Sequence, residues 1–134
     1  MLTRRGFAAC ALCAVSGFIA SGAKAQSAAP AGFKRIVISQ TDGPAEGYVT
    51  VIARLEAEAG VAIPRHTHPG VESTYLVAGS MELSIEGQPT RALAAGDGFQ
   101  VPAGVPHAGK NGGAPAILVS TYVVEKGKPL ASPA

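Results

Sequence analysis

The stretch GVAIPRHTHPGVESTYLVAG, residues 60–79, combines strand-like alternation with two closely spaced histidines. His66 and His68 are two of only three histidines in the 134-residue sequence, and Glu72 follows them closely. Residues i and i+2 of a β-strand point to the same face, so both imidazoles can reach one ion. The proline and glycine that follow are expected to break the strand and turn the chain, which would bring Glu72 back as an oxygen ligand.

The third histidine, His107, ends the stretch VPAGVPH at residues 101–107. Pro102 and Gly104 in that stretch fit positions i+1 and i+3 of a type I turn. Three neutral imidazoles and one carboxylate form a mostly nitrogen donor set, which suits Mn, Fe, Co, Ni, Cu or Zn better than Ca or Mg. The alternative is that the histidines are ordinary hydrogen-bonded strand residues and that Glu72 is a solvated surface charge.

The flanking sequence alternates apolar and polar residues in the manner of short β-strands. The clearest inward-facing sets are Val49, Val51, Ala53 and Leu55 in one strand and Met81, Leu83 and Ile85 in another. Gly and Pro separate nearly every run, and no stretch after residue 26 shows helical periodicity with caps. About eight to ten short strands at this spacing predict an all-β sandwich or small barrel.

The N-terminal segment is predicted to be an export signal. Two arginines precede an uncharged apolar run at residues 6–23, and small residues at 23 and 25 offer a cleavage site. The stretch TRRGFA, residues 3–8, resembles a twin-arginine signal, with an ordinary secretory signal as the alternative. We therefore expect a signal peptide at 1–25, a flexible lead-in at 26–32, a β-barrel domain at 33–125 and a loose C-terminal tail at 126–134.

Charge and cysteine content exclude several classes of function. Cleavage after Ala25 leaves 109 residues without either cysteine, so no thiolate ligand or disulfide is expected. The remainder carries 8 basic and 9 acidic side chains, a formal charge of −1. Neither nucleic acid nor, after signal cleavage, a membrane surface is an expected partner, and the expected location is the periplasm.

Two motifs resemble those of the cupin superfamily, in particular the small single-domain bacterial cupins. Residues 60–79 read G, five residues, H-x-H, three residues, E, six residues, G; GDGFQVPAGVPHAGKN at 96–111 reads G, five residues, P-x-G, two residues, H, three residues, N. The fixed positions are Gly60, His66, His68, Glu72 and Gly79 in the first motif and Gly96, Pro102, Gly104, His107 and Asn111 in the second. Every fixed position is matched.

This resemblance implies a single-domain cupin β-barrel, the double-stranded β-helix or jelly roll, with one divalent transition metal in its mouth. It implies His66, His68, Glu72 and His107 as the metal ligands, and the other fixed positions as structural. Homodimers are frequent among small cupins, so a homodimer is expected. Twin-arginine export moves folded proteins, so the metal can be inserted in the cytoplasm; Mn or Fe is therefore favoured, with Cu, Zn and Ni open.

The fold alone does not determine the activity. We expect an exported metalloenzyme acting on a small organic molecule, with dioxygenase-like chemistry favoured and a lyase as a further possibility, because open metal positions can bind substrate or O₂. Alternation places Thr74 and Leu76 on the inward face with Glu72, and Tyr75 on the outer face. The pocket is therefore expected to be apolar, and no catalytic residue is assigned beyond the metal ligands. That shortage favours the alternative, a non-catalytic periplasmic cupin that binds a metal or small ligand; a storage barrel with an incidental site is the third possibility.

Overall fold

The computed structural model describes residues 29–134, so the predicted signal peptide lies outside the described residues. Within this range the chain forms strands and turns without any helix, and hence no helix that is long and apolar enough to cross a membrane. The ten described strands are β1 (Phe33–Asp42), β2 (Tyr48–Ala57), β3 (Ala62–Thr67), β4 (Gly70–Ala78), β5 (Ser80–Ile85), β6 (Arg91–Ala94), β7 (Gly98–Val101), β8 (His107–Asn111), β9 (Ala116–Glu125) and β10 (Ser132–Pro133). The predicted all-β class is confirmed.

The strands form two five-stranded antiparallel sheets. The first sheet has the order β1-β2-β9-β4-β7, and the second has the order β10-β3-β8-β5-β6. The strands that carry His66 and His107 pair with each other in the second sheet, whereas the strand that carries Glu72 belongs to the first. The predicted site therefore lies between the sheets, where side chains from both inner faces meet.

Strand alternation fills the space between the sheets, as the sequence predicts. The predicted inward residues of β2 and β5 are all buried, each at most 7% exposed: Val49, Val51, Ala53, Leu55, Met81, Leu83 and Ile85. Every second residue of β9, from Ala116 to Val124, is buried as well. These apolar side chains supply the buried area that stabilises a barrel of this size.

The chain turns before Gly70 rather than at it. Strand β3 ends at Thr67, His68 lies in the connection, and Gly70 already belongs to β4, where it pairs with Val124. A Cβ atom at Gly70 would overlap the Val123 carbonyl oxygen. Glycine is therefore required here for the close approach of β4 and β9. The predicted break between the strands is confirmed at His68 and Pro69, but Gly70 itself lies within β4.

The C-terminal segment is not loose, contrary to the expectation for residues 126–134. Ser132 and Pro133 pair with Thr67 and His66 at the edge of the second sheet. The Leu130 side chain packs against the core. The polar, proline-containing composition suggested coil, but a proline is tolerated at a sheet edge, where its missing N–H is not needed by a further strand.

Candidate metal centre

The four predicted ligands converge between the two sheets. One ligand atom from each of His66, His68, Glu72 and His107 lies within 4.8 Å of the others. His68, Glu72 and His107 are 3–4% exposed, whereas His66 is half-buried. The cluster is therefore enclosed by protein and open to solvent past His66.

Strand register and one turn bring the ligands together. His66 and His107 are directly paired across β3 and β8, and their ring centroids lie 4.2 Å apart. In the turn before β8, Val105 N–H donates to the Pro102 carbonyl, and Gly104 has a φ of +72°. Pro102 and Gly104 thus occupy positions i and i+2, not the predicted i+1 and i+3, because only glycine adopts this φ at i+2 without strain. The Gly104 N–H also donates to the His68 carbonyl at 2.9 Å, which ties the turn to the first motif.

Backbone carbonyls determine which nitrogen of each imidazole is free. The Nδ1 atoms lie 2.7 Å from Pro64 O for His66, 2.5 Å from Leu130 O for His68, and 3.0 Å from Val105 O for His107. A carbonyl oxygen only accepts, so each Nδ1 must carry the proton. In the neutral imidazoles each Nε2 therefore presents a lone pair, which is the arrangement that metal-binding histidines need.

One oxygen of the Glu72 carboxylate accepts hydrogen bonds from hydroxyl groups, and the other oxygen faces the imidazoles. Oε1 accepts hydrogen bonds from the hydroxyls of Thr74 at 2.7 Å and Ser120 at 3.2 Å, and these hydroxyls lie 2.5 Å apart. Oε2 lies 3.0 Å from His107 Nε2 and 3.2 Å from His68 Nε2. The two hydroxyls thus leave Oε2 as the oxygen available to a metal.

The surroundings of Glu72 and His66 favour the protonation states that bind metals. Burial alone would raise the pKa of Glu72, but the polar contacts of its carboxylate with His107, His68 and Thr74 outweigh burial and hold that pKa well below its usual range. Burial lowers the pKa of His66 to about 4, and the hydrogen bond to Pro64 opposes this only in part. An ionised carboxylate and a neutral imidazole are both competent ligands at neutral pH.

One buried atom shows that the donor set fits a cation. His68 Nε2 is buried without a hydrogen-bond partner, and its lone pair faces the carboxylate oxygen 3.2 Å away. Protonation of His68 Nε2 would also relieve this repulsion, but it would create a buried imidazolium whose ring lies 5.1 Å from that of His107. A divalent ion held by the four residues would satisfy these lone pairs together, and three nitrogens with one oxygen suit a transition metal.

The expectation of a purely apolar pocket was wrong, although Thr74 and Leu76 do face inward. Tyr122 is 1% exposed, and its ring centroid lies 4.9 Å from that of His68. The Arg35 guanidinium carbon lies 5.8 Å from the same Tyr122 ring. Burial, and next the Glu72 charge, raise the pKa of Tyr122 above its usual range, so its hydroxyl stays protonated.

A signal for these missed residues was present in the sequence. The inward positions of β9 run Leu118, Ser120, Tyr122, Val124, so two polar groups interrupt an apolar face. Every second residue of a strand points to the same face, so Arg35 lies on the same face of β1 as the buried Phe33. Asn111, by contrast, has the structural role that the motif implies, since the two hydrogens of its Nδ2 are shared among three backbone carbonyls within 3.1 Å.

Two antiparallel sheets around a cluster of three histidines and one glutamate place this chain among β-barrels with a candidate metal site. The family model for the cupin domain matches residues 53–122, just over half of the chain. This protein belongs to the cupin family.

Among curated proteins, the chain is similar to the dimethylsulfoniopropionate lyase DddQ of Ruegeria pomeroyi, with 44% identity over 50 residues, which is 37% of this chain and 25% of that protein. The crystal structure of the lyase superposes with a TM-score of 0.66 and 26% identity, over 76% of this chain and 51% of the lyase. The chain thus spans a quarter to a half of the relative's length. KdgF from Halomonas sp. gives a TM-score of 0.61 at 19% identity, over 72% of this chain and 84% of that chain, and shows the fold alone.

Proposed function

We propose that this cupin is a metal-dependent enzyme that acts on a small organic molecule. The observation that carries the proposal is the buried His68 Nε2, which has no hydrogen-bond partner and faces Glu72 Oε2 beside two further imidazoles. A divalent ion bound by the four ligands would supply a Lewis acid with positions left for a small ligand.

The protein side chains around the ligands would confine and orient that molecule. The inner cavity has a volume of about 30 Å³ and is walled by apolar side chains together with Tyr122. A second cavity of about 90 Å³ meets it at His66 and Arg35 and extends to the C-terminal strand. These dimensions favour a molecule of few heavy atoms that enters past His66, where water is excluded once the inner cavity is filled.

Two reaction classes follow from an open metal site, and they differ in their need for O₂. The dioxygenase-like reaction predicted from the sequence consumes O₂, whereas a lyase reaction does not. The likeness to a dimethylsulfoniopropionate lyase supports the lyase as the second candidate. O₂ uptake and anaerobic product formation, measured with a panel of small phenols, thiols and organic acids, separate the two.

The alternative function is a non-catalytic cupin that holds a metal or a small ligand. In that case the panel would give saturable binding without turnover under aerobic and anaerobic conditions alike. Any metal-dependent turnover that is lost in His68→Ala together with the bound metal supports the enzyme. Turnover lost with full metal occupancy would point to a separate catalytic group.

We also propose export by the twin-arginine route and Mn or Fe as the native metal, supported by the sequence of residues 1–25. The test is metal analysis of protein purified from the periplasmic fraction of its native cell. Stoichiometric copper or zinc without Mn or Fe, or absence from that fraction, would contradict this proposal.

A homodimer is proposed for the same protein. Strand β1 lies at the edge of the first sheet and exposes three consecutive apolar residues: Ile36, Val37 and Ile38 are 45–59% exposed. Exposed apolar edge strands favour pairing with another chain. Light scattering that gives the monomer mass at micromolar concentration would rule the dimer out.

A further inference from the structure

We propose that Arg35 is a substrate-binding residue that pairs with a carboxylate group, so that the substrates of this site are small organic acids. This inference rests on the proposed function of the same site. It identifies a class of ligand by its charge and geometry, and it leaves the reaction itself open.

The register of β1 directs Arg35 into the barrel. Arg35 pairs with Leu55, which is 5% exposed, and directly paired residues of antiparallel strands point to the same face. The guanidinium carbon lies 5.9 Å from the Phe33 ring centroid and 5.8 Å from that of Tyr122. Two aromatic rings therefore border the charged group beside the metal ligands, where its planar fork can be held in one orientation.

Arg35 has no anionic partner of its own. In the described range, residues 29–134, no carboxylate lies within 4.0 Å of it, although Arg54 and Arg65 are both paired with glutamates. The preceding residues, 1–28, contain no Asp or Glu. The Arg35 Nε atom is buried without a hydrogen-bond partner. A buried N–H donor without an acceptor is costly, and a carboxylate that accepts from Nε would remove that cost.

The position of Arg35 places this unpaired charge on the route to the ligands. Arg35 and His66 line both the outer cavity of about 90 Å³ and the inner cavity of about 30 Å³. The outer cavity has no acidic side chain in its lining, and Glu72 is the one acidic residue that lines the inner cavity. With a divalent ion beside Glu72 the site carries net positive charge, and a guanidinium can bind a carboxylate through two parallel hydrogen bonds.

The test compares carboxylates with their uncharged amides by titration calorimetry on the full chain, both metal-free and loaded with Mn²⁺. The probes are acetate, propanoate and benzoate, with propanamide as the uncharged match for propanoate. We expect at least one acid to bind saturably and propanamide to bind about tenfold more weakly or worse. Arg35→Gln should weaken binding of that acid about ten- to a hundredfold and abolish the preference over the amide in both forms.

Two further variants separate recognition from packing. Arg35→Lys keeps the charge without the fork and should retain part of the preference, whereas Arg54→Gln removes an outward-facing arginine of β2 and should change nothing. Circular dichroism checks that each variant folds. Saturable binding of none of the three acids, or equal affinity in the wild type and Arg35→Gln, would overturn the proposal. Failure of the wild type to retain a metal would instead overturn the proposed function, whatever the metal-free titrations show.

Discussion

His68 Nε2 lies 3.2 Å from Glu72 Oε2, and when the single His68 proton is on Nδ1 and Glu72 is ionised neither atom carries a hydrogen. The Leu130 carbonyl requires the His68 proton on Nδ1, and the pKa of Glu72 lies well below its usual range because the polar contacts of its carboxylate outweigh burial. Two lone pairs at this distance repel unless a cation lies between them. This contact therefore indicates a cation-binding site more directly than the sequence motif does.

Removing the Thr74 hydroxyl should weaken metal binding without changing any ligand. Thr74→Val deletes the shorter of the two hydrogen bonds to Glu72 Oε1, so the carboxylate is less firmly oriented. We expect a loss of about 1–3 kcal/mol in the free energy of unfolding and about a ten- to hundredfold loss in metal affinity. Urea denaturation and competition with a chelator measure the two effects.

Thr121→Val is the matched control for this change, because Thr121 is half-exposed and pairs with outward-facing positions of the first sheet. Its effect on the free energy of unfolding should stay within about 0.5 kcal/mol, with metal affinity unchanged. Equal metal affinities in the two variants would show that Thr74 does not orient Glu72.

The C-terminal segment should contribute to metal affinity through one carbonyl. A chain that ends at residue 129 lacks the Leu130 acceptor for His68 Nδ1, so the imidazole loses both its orientation and its fixed tautomer. A chain that ends at residue 131 loses β10 but keeps that acceptor. We expect about a ten- to hundredfold weaker metal affinity in the shorter chain relative to the longer one; identical affinities would assign the segment a purely structural role.

Acid should destabilise the metal-free protein in a defined pH range. The pKa of His66 is about 4 in the folded chain against an ordinary value of 6.5, so between these values the unfolded chain binds a proton that the folded chain does not. The free energy of unfolding therefore falls as the pH is lowered from about 6.5 towards 4. Glu72, with its lowered pKa, adds a further loss that begins near its ordinary value of 4.5.

Urea denaturation in the presence of a chelator, at several values between pH 7.5 and 4, measures this dependence. His66→Gln should flatten the profile above about pH 4.5, because it removes the group that titrates differently in the two states. A profile of unchanged slope in His66→Gln would contradict the assignment to His66.

A methyl group at Gly70 should disrupt the barrel beside the site. Its Cβ would overlap the Val123 carbonyl, so β4 and β9 must separate at the start of β4, between His68 and Glu72. We expect Gly70→Ala to lower the free energy of unfolding by about 3 kcal/mol or more. Gly113→Ala, where a Cβ meets nothing within 4 Å, is the control and should have little effect; a similar loss in both variants would refute the packing argument.

The residues that the sequence placed correctly are those whose role depends on local periodicity. Alternation identified the buried faces of β2 and β5, and the spacing of the two motifs identified the four residues that converge. The buried faces and the His-x-His pair both follow from the alternation of side chains along a strand, and this alternation is visible within a single segment of sequence.

The features of the site that the sequence did not predict depend on contacts between distant segments. The Leu130 carbonyl reaches His68 across 62 positions, and no local pattern in a proline-containing tail predicts that contact. Arg35 follows the exposed Lys34, and although its spacing from Phe33 matches the inward face, its pairing with Leu55 is what establishes that face. The alternation of β9 did contain the signal for Ser120 and Tyr122, because polar residues at inward positions often line a site.

The metal content and thermal stability of the purified full chain test metal binding by the four clustered residues most directly. We expect one divalent transition-metal ion per chain, a melting temperature that falls when a chelator is added, and loss of both properties in His68→Ala. Wild-type protein that binds no such ion after exposure to Mn²⁺, Fe²⁺ and Zn²⁺, and whose melting temperature does not respond to the chelator, would contradict this expectation.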